Sequence, residues 1–184
     1  MITLEQLLDS RDRRAEHQQE LLRAYPGCSL ICLTVQLPGP VKRSRESLVI
    51  GGAGLAALLG VFGSVIRHSH VRDLETGYEA YMLVPLPALE VKKRCCRLED
   101  EHPLGRLMDI DVLGAVMPGP DRASETPDQV GGDFALLGRA DVGLEPRRCL
   151  LCDNEARYCM RAHTHSTEEL LAKIAEMVEE YTKS

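Results

Sequence analysis

A chain of 184 residues is long enough to bury a full core as one domain with a small appendage. Its formal charge of −6 excludes a general nucleic-acid coat protein, which needs a net basic footprint, but not a small anionic ligand in a local basic pocket. Residues 1–20 mix acids and bases with no apolar stretch, so no secretory signal is expected. The seven cysteines form an odd count that suits a cytoplasmic protein better than a disulfide framework.

Thr3-Leu-Glu-Gln6 has the form of a capping box and predicts a helix with Leu4, Leu7 and Leu8 on one face. The charged run Arg11-Asp-Arg-Arg14 follows on or after that helix and reads as a solvated helix face, and a second helical stretch is expected up to about Tyr25, where Pro26-Gly27 stops it. Residues 29–37 are apolar and β-branched, which predicts a largely buried strand. Pro38-Gly-Pro40 ends it and delivers Lys42, Arg43 and Arg45 just before a helix N-terminus. Lys42 is therefore a candidate phosphate contact, with an exposed turn lysine as the simpler alternative. The apolar run 48–66 holds five glycines and reads as helix and turn packing, not as a membrane span. The expected elements there are a helix over 46–59 and a strand over 61–66. A strand over 79–85 and a helix over 88–98 follow.

The stretch from Glu101 begins as a polar turn, interrupted by Pro103 and Gly105, and runs into Arg106-Leu-Met-Asp-Ile-Asp-Val-Leu113, whose Ile110, Val112 and Leu113 predict a strand. Alternation on a strand puts Asp109 and Asp111 on one face, with Met108, Ile110 and Val112 on the other. Two such carboxylates repel unless a cation lies between them, and magnesium carrying substrate phosphates is a common answer. An edge strand with two solvated acids fits the spacing as well. Helices alternating with strands predict an α/β or α+β domain built on one mixed sheet. Residues 1–145 are expected to form the catalytic body, in which the Pro, Gly and Asp-rich segment 118–133 is a flexible insertion loop.

Residues 146–184 are the Cys/His-rich appendage. Cys149, Cys152 and Cys159, with His163 or His165, have the number and type of ligands for a tetrahedral structural zinc. Reduced cysteines packed in a small core are the alternative. A redox Cys-x-x-Cys lacks its strand-to-helix context here, and a zinc deaminase would need Pro before the first cysteine, where Arg147 and Arg148 intervene. Ser166-Thr-Glu-Glu169 is a second capping box, opening a helix whose stripe is Leu170, Leu171, Ile174, Met177, Val178 and Tyr181.

The sequence resembles the citrate lyase holo-acyl carrier protein synthases, or apo-citrate lyase phosphoribosyl-dephospho-CoA transferases. The resemblance rests on Ser10-Arg-Asp12, Pro38-Gly-Pro-Val-Lys42, Gly54, Glu101-His-Pro-Leu-Gly-Arg106 with Asp109-Ile-Asp-Val112, Pro146-Arg-Arg-Cys-Leu-Leu-Cys152, Cys159-Met-Arg161 and His165. It implies transfer of 2′-(5″-phosphoribosyl)-3′-dephospho-CoA from 2′-(5″-triphosphoribosyl)-3′-dephospho-CoA to a serine of the lyase's apo-acyl carrier protein, with release of diphosphate. Neither a nucleic acid nor a membrane enters that reaction. By analogy with nucleotidyltransferase strands, Asp109 and Asp111 would hold magnesium. Glu101 would be a third carboxylate and His102 a base for the serine hydroxyl. Lys42, Arg106, Arg147 and Arg148 would bind phosphates, and the resemblance selects His165 as the fourth zinc ligand. The chain departs from the family pattern at Met108, where relatives usually carry an aromatic, and in the longer connection around 118–133. A zinc-stabilised, non-enzymatic assembly module is the rival reading, and it leaves the paired aspartates without a purpose.

Overall fold

The computed structural model describes residues 2–115 and 134–183; the expected insertion loop at 118–133 lies outside the described residues. In chain order the elements are α1 (Leu4–Ala24), β1 (Ser29–Val35), α2 (Arg45–Phe62), β2 (His68–Leu74), β3 (Gly77–Val84), α3 (Ala88–Glu101), β4 (Met108–Ala115), β5 (Phe134–Leu137), α4 (Ala156–Ala162) and α5 (Thr167–Lys183). Single 3-10 turns stand at Gly63–Val65, Gly105–Leu107 and Ala140–Val142. The strands form one sheet in the order β2-β3-β1-β4-β5, and every pairing is antiparallel. The expected α/β or α+β domain thus takes its α+β form. Instead of mixed pairing, strands of like direction are always separated by one of opposite direction.

Both capping boxes form. Thr3 and Gln6 exchange side-chain and backbone hydrogen bonds at the start of α1, and Ser166 and Glu169 do the same before α5. Each satisfies two amide groups that a helix start otherwise leaves open, a contribution of about 1 kcal/mol.

The strand expected over 61–66 is not there. The helix continues to Phe62 and tightens into the turn Gly63–Val65, because Leu58 and Phe62 complete its apolar face and are fully buried. The strand at this point is instead β2, whose sequence His-Ser-His-Val-Arg-Asp-Leu is polar because it forms an edge of the sheet. By length and composition α2 with its following turn is apolar enough to cross a membrane, yet it lies along the sheet with Ile50, Leu58 and Phe62 buried.

The sheet has two different faces. Ile31, Leu33, Met82, Val84, Ile110 and Val112 face α2, α3 and α5 and form the main core. Fully burying each such aliphatic side chain stabilises by roughly 1.5–3 kcal/mol. Leu30, Cys32, Tyr81, Leu83 and Leu113 face α1 and form a smaller cluster with Leu21 and Leu22. From α5, Ile174 and Val178 enter the main core, with Met177 and Tyr181 packed at its margin.

Two glycines set the packing distances. A Cβ on Gly54 would come within 2.9 Å of Leu33 Cδ2, so its absence lets α2 lie close on β1. A Cβ on Gly105 would overlap the backbone carbonyl of Glu99, which the last turn of α3 holds in place. Gly105→Ala is expected to cost about 3 kcal/mol, lowering Tm by roughly 6–12 °C in a chain of this length. A calorimetric loss under about 1 kcal/mol would mean that the turn opens freely.

Candidate active site

Asp109 and Asp111 project from β4 on the face that α1 covers. Antiparallel register sets Asp111 beside Cys32 and Asp109 beside Thr34 on β1, and beyond them Tyr81 and Glu79 on β3. Two polar rows therefore cross the sheet: Glu79–Thr34–Asp109 and Tyr81–Cys32–Asp111. Met108, Ile110 and Val112 point into the main core, as alternation predicts.

Asp109 is held from two sides. Gln36 Nε2 donates to its Oδ2 at 2.7 Å, and Arg147 NH1 stands 3.6 Å from its Oδ1. Burial and the neighbouring Asp109 carboxylate push Asp111 above the ordinary carboxylate range, against the pull of Lys92, Arg147 and Arg14. Arg14 reaches this face from α1 and forms a 3.0 Å ion pair with the buried Glu79. On the same helix Gln18 Nε2 donates to the Cys32 thiol at 3.3 Å. Of the run Arg11–Arg14 expected to be solvated, Arg11, Asp12 and Arg13 are exposed, but Arg14 turns inward.

β5 pairs only with residues 112–115 of β4, which leaves the edge at Met108 and Ile110 without a strand partner. Three side chains close it. Glu99 accepts the Ile110 N–H at 3.0 Å, Lys92 donates to the Ile110 carbonyl at 2.8 Å, and Arg147 donates to the Met108 carbonyl at 3.0 Å. Arg147 also pairs with Glu99, so one guanidinium joins the edge, a buried carboxylate and Asp109. Burial raises the Glu99 carboxyl above its usual range in spite of Arg147 and Lys92.

The other expected site residues are dispersed. Glu101 is exposed and pairs loosely with Arg97; the carboxylate that shares Arg147 with Asp109 is Glu99. His102 caps the turn after α3: its Nδ1 accepts the Leu104 N–H at 3.0 Å and its ring packs against Tyr181 of α5. That is the main-core side of the sheet, so the expected base stands away from the acid pair, its ring tied up by the turn. Lys42 donates to the Leu37 carbonyl, next in the chain to Gln36. Arg106 donates to the Arg148 carbonyl, and Arg148 is exposed. Of the four expected phosphate ligands, Arg147 alone touches the acid pair.

Arg14, Glu79, Gln36, Lys92 and Glu99 escaped the reading of the sequence. Two signals were available: Arg14 falls on the inward stripe of α1 between Leu7 and Leu21, and Glu79 is an acid within an otherwise apolar strand.

Cys149, Cys152, Cys159 and His165 form a second site, with one ligand atom from each lying within 4.8 Å of the others, so the quartet could hold a metal ion. The Cys152 and Cys159 sulfurs are 3.5 Å apart and His165 Nε2 is 3.3 Å from Cys152. His163 ends α4 in a left-handed conformation, exposed and outside the quartet. Burial alone would raise the Cys149 thiol. Hydrogen bonds from the Leu151 and Cys152 amides, with the Cys159 and Cys152 thiols, bring it down to about 7.

Comparison with known proteins gives first a class: the chain is a transferase. A family model described as apo-citrate lyase phosphoribosyl-dephospho-CoA transferase matches residues 2–181, and the chain belongs to that family. A Streptococcus pyogenes serotype M3 protein named as a probable member is 33% identical over 98% of this chain and 87% of its own length. A Vibrio cholerae serotype O1 (strain M66-2) protein of the same name is 34% identical over 98% of this chain and 94% of its own. Protein CitXG of Haemophilus influenzae is 34% identical over 98% of this chain, which spans 36% of that longer protein.

The raised Asp111 carboxyl sets a sign for stability. A carboxyl with a folded pKa above its unfolded value, near 3.9, binds protons more tightly when folded. It therefore costs stability once pH rises above that unfolded value. In magnesium-free buffer Asp111→Asn should melt higher than the parent at pH 7, and the difference should vanish below about pH 4. A variant melting lower at pH 7 would mean that the charged Asp111 stabilises the fold.

Proposed function

We propose that this chain carries out the family reaction in its full form, at the acid face under α1. A serine hydroxyl of the citrate lyase acyl carrier protein attacks the phosphorus next to the ribose of 2′-(5″-triphosphoribosyl)-3′-dephospho-CoA. The serine oxygen–phosphorus bond forms as the bond to the diphosphate breaks, and the serine proton passes to a base. The observation that carries this reading is the acid pair itself: Asp109 and Asp111 lie side by side on a covered face, with Arg147 beside Asp109 and Arg14 held on the same face by Glu79 of β3.

Asp109 and Asp111 would hold magnesium, since they offer hard oxygen donors, and burial pushes up the thiol of Cys32, which stands opposite Asp111 on β1, so that it competes poorly as a ligand. When bound, the ion neutralises charge on the phosphate and diphosphate oxygens. The chain's own groups orient the pair: Gln36 and Arg147 fix both oxygens of Asp109, and the closed edge of β4 fixes the strand beneath it. Arg147 adds a guanidinium that can share an oxyanion, a planar donor suited to phosphate. Substrate and carrier are both water-soluble, which agrees with a cytoplasmic setting.

Asp109→Asn and Asp111→Asn should each lower magnesium-dependent diphosphate release by much more than tenfold, with the fold intact by circular dichroism. A rate within roughly tenfold of the parent, about 1.4 kcal/mol in barrier, would remove that residue from the metal site.

The Cys149, Cys152, Cys159 and His165 quartet would hold a structural zinc. In tetrahedral zinc the sulfurs, each about 2.3 Å from the metal, stand ~3.8 Å apart, close to the separation of Cys152 and Cys159. Such an ion would brace the turn that carries Arg147. Purified protein should contain about one zinc per chain, and stripping it with a strong chelator should lower Tm. Protein equally stable and fully active without zinc would leave the quartet as packed thiols.

A further inference from the structure

Arg14 and Glu79 form a charge pair in an unusual place. Glu79 is on β3, between β1 and β2, and its side chain is only 4% exposed; that of Arg14 is 28% exposed. Arg14 Nε donates to Glu79 Oε1 at 3.0 Å, while Glu79 Oε2 accepts the Tyr81 hydroxyl at 2.6 Å and faces Arg72 at 4.0 Å. The carboxylate is thus fully engaged on a strand paired along both sides. The bond to Arg14 uses Nε, so the terminal amino groups of that guanidinium are not spent on it.

Folding gives no reason for the pair. Exchanging a buried ion pair for apolar groups of similar volume is commonly neutral or stabilising, so its geometry calls for another explanation. Position supplies one. Arg14 is held on Glu79, at the β3 end of the row that continues through Thr34 to Asp109 and next to the row of Tyr81, Cys32 and Asp111. Its charge acts on Cys32 and Asp111 in that neighbouring row. Arg147 stands at the opposite flank, on the open edge of β4. A polyphosphate drawn to Asp109 and Asp111 through a divalent cation would meet one guanidinium on each side.

We propose that Arg14 binds the oxyanions of the triphosphate substrate beside Asp111, and that Glu79 is its positioning residue. This deepens the transfer reaction proposed above and rests on it. Glu79 fixes the guanidinium through Nε and leaves its terminal donors to the substrate, a division of labour that a lysine cannot reproduce. Tyr81 and Arg72 in turn hold Glu79.

The test uses the full chain, with magnesium and inorganic triphosphate as binding probe and the complete substrate with apo-carrier protein as assay. Arg14→Gln combined with Glu79→Gln removes both charges together, so no buried carboxylate is left unpaired, and it should fold with a melting curve close to the parent. It should bind triphosphate at least tenfold more weakly. Arg14→Lys keeps the pair charged but loses the spare donors, and its KM should rise at least fivefold. Glu79→Gln retains the hydrogen bond from Tyr81 and the charge of Arg14. It should lower kcat at least fivefold while KM changes less than threefold, the mark of lost alignment rather than lost attraction.

Binding within twofold of the parent in the folded double variant, or unchanged KM in Arg14→Lys, would overturn the role of Arg14. An unchanged kcat in Glu79→Gln would overturn positioning. Failure of the transfer reading looks different: the parent would bind triphosphate through Arg14 yet release no diphosphate in the complete assay.

Discussion

The open edge of β4 is the constraint on which this structure depends. A backbone N–H or carbonyl shut away from water must find a partner, and β5 supplies partners only from Val112 onward. At Ile110 and Met108 the partners are side chains: Glu99 and Lys92 from α3, and Arg147 from the segment after β5. Three charged groups therefore stand where a longer β5 would otherwise continue the pairing. The short turn at Gly105 makes this reachable, because it brings β4 back against the end of the helix that carries Glu99.

Electrostatics follows from that edge. Arg147 is needed to offset the buried Glu99, and from the same place it reaches Asp109. The Cys/His quartet then gains a mechanical meaning, since Arg147 begins the turn that Cys149 and Cys152 continue. Backbone bonds from Cys149 to Asn154 and from Ala156 to Arg147 close that turn on itself. On the other flank α1 covers the acid face with polar groups as well as leucines, so the smaller side of the sheet holds a charged interior instead of a second oily one.

How much of this could be read from the sequence depended on whether the cause was local. The Asp109/Asp111 face was legible because strand alternation is a property of neighbouring residues. The two capping boxes and the quartet were legible for the same reason, since each is a short spacing between residues of fixed chemistry. Glu99 was not legible: a glutamate near the end of an amphipathic helix looks solvated until the edge it closes is known. Glu101, two residues on, drew attention by belonging to a distinctive stretch, and it lies in solvent. His102 drew attention as a histidine in that stretch, yet its ring completes a turn. β2 was missed because an edge strand needs little apolar character. The strand expected at 61–66 failed because β-branched residues close to a helix end were read without the core that Phe62 enters.

The central proposal is that the face under α1 gathers the divalent cation and the triphosphate. Anomalous diffraction from crystals soaked with manganese and inorganic triphosphate tests it directly, since manganese takes oxygen ligands much as magnesium does. One manganese peak between the Asp109 and Asp111 carboxylates, with the triphosphate lying between Arg14 and Arg147, is the predicted result. Well-ordered manganese and triphosphate bound elsewhere, with the acid pair empty, would contradict it.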